Sequence, residues 1–111
     1  MERQAYLDTI KQHLQTAYLL NEQRSEAMIP VFLATLRGHM NRLAELAAEG
    51  DMEPLGRTAH AVKGALLNIG LADLAEAAHR IELQCRQGAG DLEYHNAIVD
   101  LQYTISLLCE E

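Results

Sequence analysis

One segment of this 111-residue chain sets reactive side chains at helical spacing: Gly56, His60, Lys63, Gly64 and Leu67. Residues three, four and seven apart share a helix face, so these five form one stripe with an imidazole at its centre. Two glycines one turn either side of a histidine are costly in a helix interior, roughly 1 kcal/mol each relative to alanine. They either bare the surface around the ring, so that another protein can bring a reactive group up to it, or let a neighbouring helix pack closely. Lys63, one of two lysines in the chain, can carry its ammonium over the same spot. Taken alone it would read as a solvated lysine on a polar face.

A turn centred near Gly70 follows, and His60 lies ten residues before it. At a rise of about 1.5 Å per residue, the same level on an antiparallel neighbour falls about ten to twelve residues after the turn. Arg80, Ile81 and Glu82 occupy that range. Ile81 belongs to an apolar stripe, which leaves Glu82 at its edge to meet the imidazole. A carboxylate accepting from Nδ1–H fixes the tautomer and leaves the Nε2 lone pair aimed outward. The competing reading is a surface ion pair with Arg86, four residues on. A neutral imidazole attacks through a nitrogen that already carries its lone pair, so no general base is required. The Lys63 ammonium would stabilise a phosphoryl group arriving there.

The elements that must position these residues are helices. Seven glycines and two prolines leave long uninterrupted stretches, and no run alternates apolar and polar residues as a half-buried strand would. A first helix is predicted from about Glu2 to Leu20, with Tyr6, Ile10, Leu14, Ala17 and Tyr18 near one face. The polar break Asn21-Glu22-Gln23-Arg24 follows, with Ser25 as the expected N-cap. A second helix carries Ile29, Phe32, Leu33, Leu36, Met40, Leu43, Leu46 and Ala47 to a stop at Gly50, with Pro30 near its start.

The third helix opens with Asp51 as N-cap and Pro54 in its first turn. Its stripe is Leu55, Ala59, Val62, Leu66 and Ile69, and Gly70 ends it. The fourth turns Leu71, Leu74, Ala78, Ile81 and Cys85 inward and ends near Gly88. After a turn at Gly88-Ala89-Gly90, Asp91 caps a last helix through Tyr94, Ile98, Leu101, Ile105 and Leu108. The expected fold is all-α: one domain over residues 1–111, an up-and-down antiparallel four-helix bundle with an additional N-terminal helix capping one end or side.

Charge narrows the function. Nine Lys plus Arg against sixteen Asp plus Glu give a net charge of −7, which disfavours nucleic acid and anionic membrane surfaces. Cys85 and Cys109 are too few for a disulfide framework and lack metal-ligand spacing. The opening Met1-Glu2-Arg3-Gln4-Ala5-Tyr6 has no apolar run of the signal-peptide kind, and no stretch approaches a membrane span. A cytoplasmic protein is expected.

His60-Ala61-Val62-Lys63-Gly64, then Gly70, Leu74 and Glu82, closely resembles the signature of histidine-containing phosphotransfer (HPt) domains, helical bundles of two-component phosphorelays. The turn Ala48-Glu49-Gly50-Asp51 is also similar, and the likeness spans about residues 28–108. The resemblance implies that His60 accepts a phosphoryl group through Nε2, that Lys63 steadies its oxygens, and that Glu82 orients the imidazole. It implies that Gly64 admits the partner's acidic pocket and that Asn68 lies near the phosphate side, while Gly56 and Leu67 join the expected docking surface from their place on the His60 stripe. Leu66 and Leu67 depart from the small residues many members carry there; Leu66 would change packing only, and Leu67 would offer an apolar docking contact.

The implied partners are response-regulator receiver domains and a histidine kinase. The expected role is that of a free-standing shuttle with no ATP chemistry of its own, since no phosphate-cradling loop is present; a monomer is expected, with the amphipathic first helix able either to close the bundle or to pair with a second copy. No bound metal or other cofactor is expected; Mg²⁺ would be supplied by the receiver's carboxylates during transfer. Three rivals compete with this reading. The first is an unphosphorylated adaptor that docks on a receiver or kinase and sequesters it. The second is a metal site at His79, Glu82 and Cys85, against which stand a core cysteine, a solvated histidine and an unfamiliar spacing. The third is a small-molecule hydrolase or transferase, which lacks a nucleophile–base pair beyond His60. His13, His39 and His95 read as surface or boundary residues.

Overall fold

A computed structural model describes residues 3–87 and 93–109, with the side chains of Glu93 and Tyr94 also outside its description. Among the described residues the chain is five α-helices and no strand: α1 Arg3–Ala17, α2 Glu22–Glu49, α3 Met52–Asn68, α4 Ala72–Arg86 and α5 Glu93–Cys109. The expected turn at Gly88-Ala89-Gly90, the Asp91 cap and the Tyr94 side chain lie outside the described residues. Helix α3 packs on α2 and α4, α5 packs on the same two, and α1 lies against α2 and α5. The predicted stripes meet in one core. Ile10 and Leu14 from α1, Leu36 and Leu43 from α2, Leu55, Val62 and Leu66 from α3, Ile81 from α4 and Leu108 from α5 are all fully buried.

Several local expectations need correction. The N-cap of α2 is Asn21, whose Oδ1 accepts from the Arg24 N–H at 2.8 Å. The helix thus starts three residues before Ser25, which becomes a fully buried interior residue with an unpartnered Oγ. Pro30 consequently sits more than two turns inside α2, where its missing N–H deprives the Glu26 carbonyl of its helical donor. Ala17 and Tyr18 are exposed because the core follows α1 no further than Leu14, and Leu74 on α4 is only half-buried. Asp51 does hold the N-cap position of α3, yet its side chain makes no capping hydrogen bond.

Two glycines end helices in the left-handed conformation. Gly50 (φ 73°) returns its N–H to the carbonyls of Leu46 and Ala47. Gly70 (φ 79°) follows the last residue of α3 by two positions, and the Leu71 N–H reaches back to Leu66 at 3.0 Å. Only a glycine fits at 70 for a second reason. A Cβ there would fall 2.6 Å from Cβ and Cγ of His13, so α1 rests directly on the α3–α4 turn. Helix α1 is further tied by Arg3, whose Nε donates to the Leu108 carbonyl at 3.3 Å. Lys11 adds contacts to Glu22 (2.7 Å) and Glu26 (2.9 Å) on α2. No helix of the described residues is long and apolar enough to cross a membrane.

Two substitutions test this packing by chemical denaturation. Gly70→Ala is expected to destabilise the fold by about 1–2 kcal/mol or more, from the left-handed penalty plus the His13 overlap. Ser25→Ala removes a buried hydroxyl without a partner and is expected to raise stability by about 1 kcal/mol.

Candidate functional site

The stripe predicted on α3 lies beside α4 at the expected level. His60 Nδ1 stands 2.9 Å from Glu82 Oε2 across the two helices. The side chains contrast sharply in burial: that of His60 is 64% exposed and that of Glu82 only 3%. Glu82 projects from the edge of the buried Ile81 stripe, one residue away, which explains how a carboxylate enters the interior.

Three helix-borne groups converge on that carboxylate. Lys63 Nζ donates to Oε1 at 2.9 Å, and Arg86 donates from its NH2 nitrogen to Oε2 at 2.7 Å. His79 Nδ1 lies 3.6 Å from Oε1 and 3.4 Å from Lys63 Nζ. Burial alone would raise the Glu82 carboxyl above its ordinary range. The hydrogen bonds from Lys63 and His60, with their charges, outweigh that effect and hold it below its ordinary value of 4.5. Glu82 is therefore ionised at neutral pH and can only accept, so the proton between the two groups belongs to His60 Nδ1. Nε2 is left as the nitrogen without a protein partner among the described residues.

The remaining stripe residues divide by burial. Gly64 is half-exposed, and a Cβ there would meet nothing within 4 Å, so the ring's C-terminal side is bare. Leu67 and Asn68 are exposed on the same side. Gly56 differs from the expected docking residue: it is buried, and a Cβ there would come within 3.2 Å of Cys85 Cβ. Its small size serves the close approach of α3 to α4. Gly56 and Cys85 also form part of the wall of a cavity of about 710 Å³ beside His60, between Arg57 and Arg86.

Lys63 departs from expectation in direction. Its ammonium faces the buried carboxylate beneath the ring rather than standing free over it. The surface ion pair weighed for Glu82 also exists, since Arg86 shares the oxygen that His60 uses. His79, which the sequence offers only as a metal ligand, lies beside the Lys63 ammonium. The level rule that found Glu82 opposite His60, applied to Lys63 seven residues before Gly70, reaches positions 77 to 79 and would have found it.

The metal alternative finds no support in these positions. His79 points to Lys63, Glu82 is filled by cationic and N–H donors, and Cys85 is buried, its thiol pushed up by burial and by the Glu82 charge. Among the described residues no group of three His, Cys, Asp or Glu could hold an ion.

The family model described as the Hpt domain matches residues 27–111, a span that contains His60, Lys63, Gly64 and Glu82 and begins after α1. Neither the curated proteins nor the solved structures contain a match to the chain.

The Glu82 contacts set an acid limb. Because the folded carboxyl is held low, its pairing contributes stability above the ordinary carboxyl value, and that contribution is lost as pH falls through the lowered value. In urea titrations, wild type is expected to lose more stability than Glu82→Gln between about pH 6 and pH 3. Parallel curves for the two proteins would contradict the ionised, paired carboxylate.

Proposed function

As this chain belongs to the Hpt domain family, whose members are phosphocarrier modules of two-component signalling, we propose that His60 is its phosphoacceptor through Nε2. The observation that carries the reading is the 2.9 Å contact between Nδ1 and the buried Glu82 carboxylate. It supports a ring proton on Nδ1 and a nucleophilic lone pair on Nε2. The donor is an aspartyl phosphate on a receiver domain, or a histidine kinase. With an aspartyl phosphate, the Nε2 lone pair attacks phosphorus in line, an N–P bond forms, and the O–P bond to the aspartyl carboxylate breaks. The ring keeps its Nδ1 proton and becomes cationic, and Glu82 offsets that charge from below. The reverse sequence delivers the group to another receiver aspartate.

Lys63 changes partner in this scheme. Held by Glu82 before transfer, its flexible stem lets the ammonium swing to the phosphoryl oxygens once three negative oxygens arrive beside it. Arg86 then stays on Glu82 and keeps the buried carboxylate paired. Gly64 and the exposed Leu67 and Asn68 form the surface that the receiver meets. Mg²⁺ is supplied by the receiver's acidic pocket.

The short connections Gly50-Asp51 and Ile69-Gly70-Leu71 support an up-and-down order for α2 to α4, and the packing of α5 on α2 and α4 is in keeping with a fourth helix of the same bundle. Two free cysteines suit a cytoplasmic protein. A monomer suffices for this chemistry, because each site is built from one chain.

The test is intact mass after incubation with phosphorylated receivers and Mg²⁺, with His60→Gln beside the wild type. One acid-labile, alkali-stable phosphoryl group, absent from the variant, is expected. Binding to a receiver without any label on wild type, and unchanged effect of His60→Gln on that receiver, would instead make the protein a docking adaptor. Two further variants separate the roles. Lys63→Ala is expected to slow transfer roughly tenfold to a hundredfold while the protein stays folded. Gly64→Ala is expected to melt higher, by up to about 1 kcal/mol of helix propensity, yet to transfer more slowly because its methyl obstructs the approach to Nε2.

A further inference from the structure

We propose that this chain takes a second copy of itself as a partner, by exchange of α1. In the exchanged form α1 and α2 run on as one continuous helix, and each α1 packs on the other copy as it packs on its own in the closed form. The inference starts from the reversal after α1. The N–H groups of Tyr18 and Leu20 both return to the Leu14 carbonyl, at 3.2 and 3.4 Å, and Leu19 between them has φ 56°. The left-handed position after a helix ordinarily takes glycine or asparagine, because a Cβ there crowds the following carbonyl. Leu19 is the one non-glycine with positive φ among the described residues.

This leucine recovers nothing by burial, being 87% exposed. The closed turn is therefore unfavourable in both conformation and solvation. A short connection under strain is the kind that favours exchange of an element between copies. The connection Tyr18-Leu19-Leu20-Asn21 holds neither glycine nor proline, so nothing in it stops a right-handed helix. Opening releases the Asn21 cap from the Arg24 N–H, and that donor takes the Leu20 carbonyl in the continuous helix instead.

The packing of α1 on α2 suits such an exchange. Lys11 meets Glu22 and Glu26, while Arg3 at the start of α1 shares a cavity wall with Arg37, further along α2. Position falls along one helix as it rises along the other, so the two form an antiparallel hairpin. Opened at its turn, a helical hairpin gives a long helix that pairs antiparallel with its own copy about a two-fold axis, here at residues 18–21. Each α1 then lies along the other copy's α2, and the two Leu19 side chains come together at the axis and leave water.

Every tie of α1 is remade between the copies. Ile10 and Leu14 re-enter a core, Arg3 Nε returns to a Leu108 carbonyl, His13 rests on a Gly70, and Lys11 finds its two glutamates. The exchange therefore loses no contact that α1 makes in the closed form, and relieves the one strained residue. The span matched by the family begins at residue 27, after α1, and His60, Lys63 and Glu82 lie on α3 and α4. The exchanged dimer thus carries two His60 sites, each still built from a single chain.

Sedimentation of the full chain, warmed to just below melting at millimolar concentration and then cooled, is expected to show a dimer. Leu19→Gly favours the closed turn and weakens the continuous helix, and each dimer holds two such connections. Its dimer dissociation constant is expected to rise about a hundredfold or more. Exchange itself is read from charge. Lys11→Glu in one protein gathers three carboxylates, and Glu22→Lys with Glu26→Lys in a second gathers three ammonium groups. Pairing each α1 with the other protein's α2 restores four opposite-charge contacts. With one variant isotopically labelled, native mass spectrometry of the mixture is expected to show heterodimer about tenfold above the statistical level; circular dichroism checks that both variants are folded. A wild type that stays monomeric overturns the proposal. So does a dimer that Leu19→Gly leaves as tight, or one in which the charge variants mix in statistical proportion, since copies associated side by side keep each α1 on its own α2.

Discussion

A carboxylate with 3% of its side chain in contact with solvent stays ionised only when donors surround it, and at Glu82 they come from His60, Lys63 and Arg86. Two of these belong to α3 and one to α4, so satisfying the charge also clamps the two helices at one relative height. The clamp fixes the histidine tautomer and leaves Nε2 without a protein partner among the described residues. It also draws the Lys63 ammonium onto the carboxylate. Removing any donor leaves a buried charge less well paired, so the polar site and the helix packing are coupled.

The helix spacing that this clamp requires is set by small residues. Gly56 lets α3 approach Cys85 on α4, and a Cβ would already be within 3.2 Å. Gly64, eight residues on, faces open space. One residue type thus serves two ends of the same site, inward contact at 56 and outward access at 64. The division follows from position on the helix wheel: the α4 side of the stripe is occupied and the outer side is free. A similar close approach recurs just past the C-terminus of α3, where α1 leans on Gly70 through His13. That contact brings the α1–α2 connection to the same end of the fold as Leu67 and the C-terminus of α3.

The helices and the pairing of His60 with Glu82 were legible in the sequence. Helical period and rise are properties of the local backbone, so stripe positions and heights on either side of a glycine turn follow without knowledge of the neighbours. The start of α2 was less legible. Asn21 and Ser25 are both competent caps, and the helix starts at the earlier one, which leaves Ser25 in the interior with an unpartnered hydroxyl. Pro30 then fell in a helix interior, which local preference would have avoided.

What only the tertiary structure decided is where each long or small side chain finds its partner. The apolar pattern placed Lys63 one turn from His60, but its flexible stem could reach outward or inward; the buried charge of Glu82 draws it inward, with His79 beside it. Gly56 and Gly64 are equivalent in a sequence, and only the position of Cys85 distinguishes them. Leu19 is an ordinary apolar residue until the reversal after Leu14 gives it a left-handed backbone and an open surface. The sequence by itself determined five helices, their inward faces and the histidine–carboxylate level. The contacts across helices, which depend on rotamers and on approach distances, determined the rest.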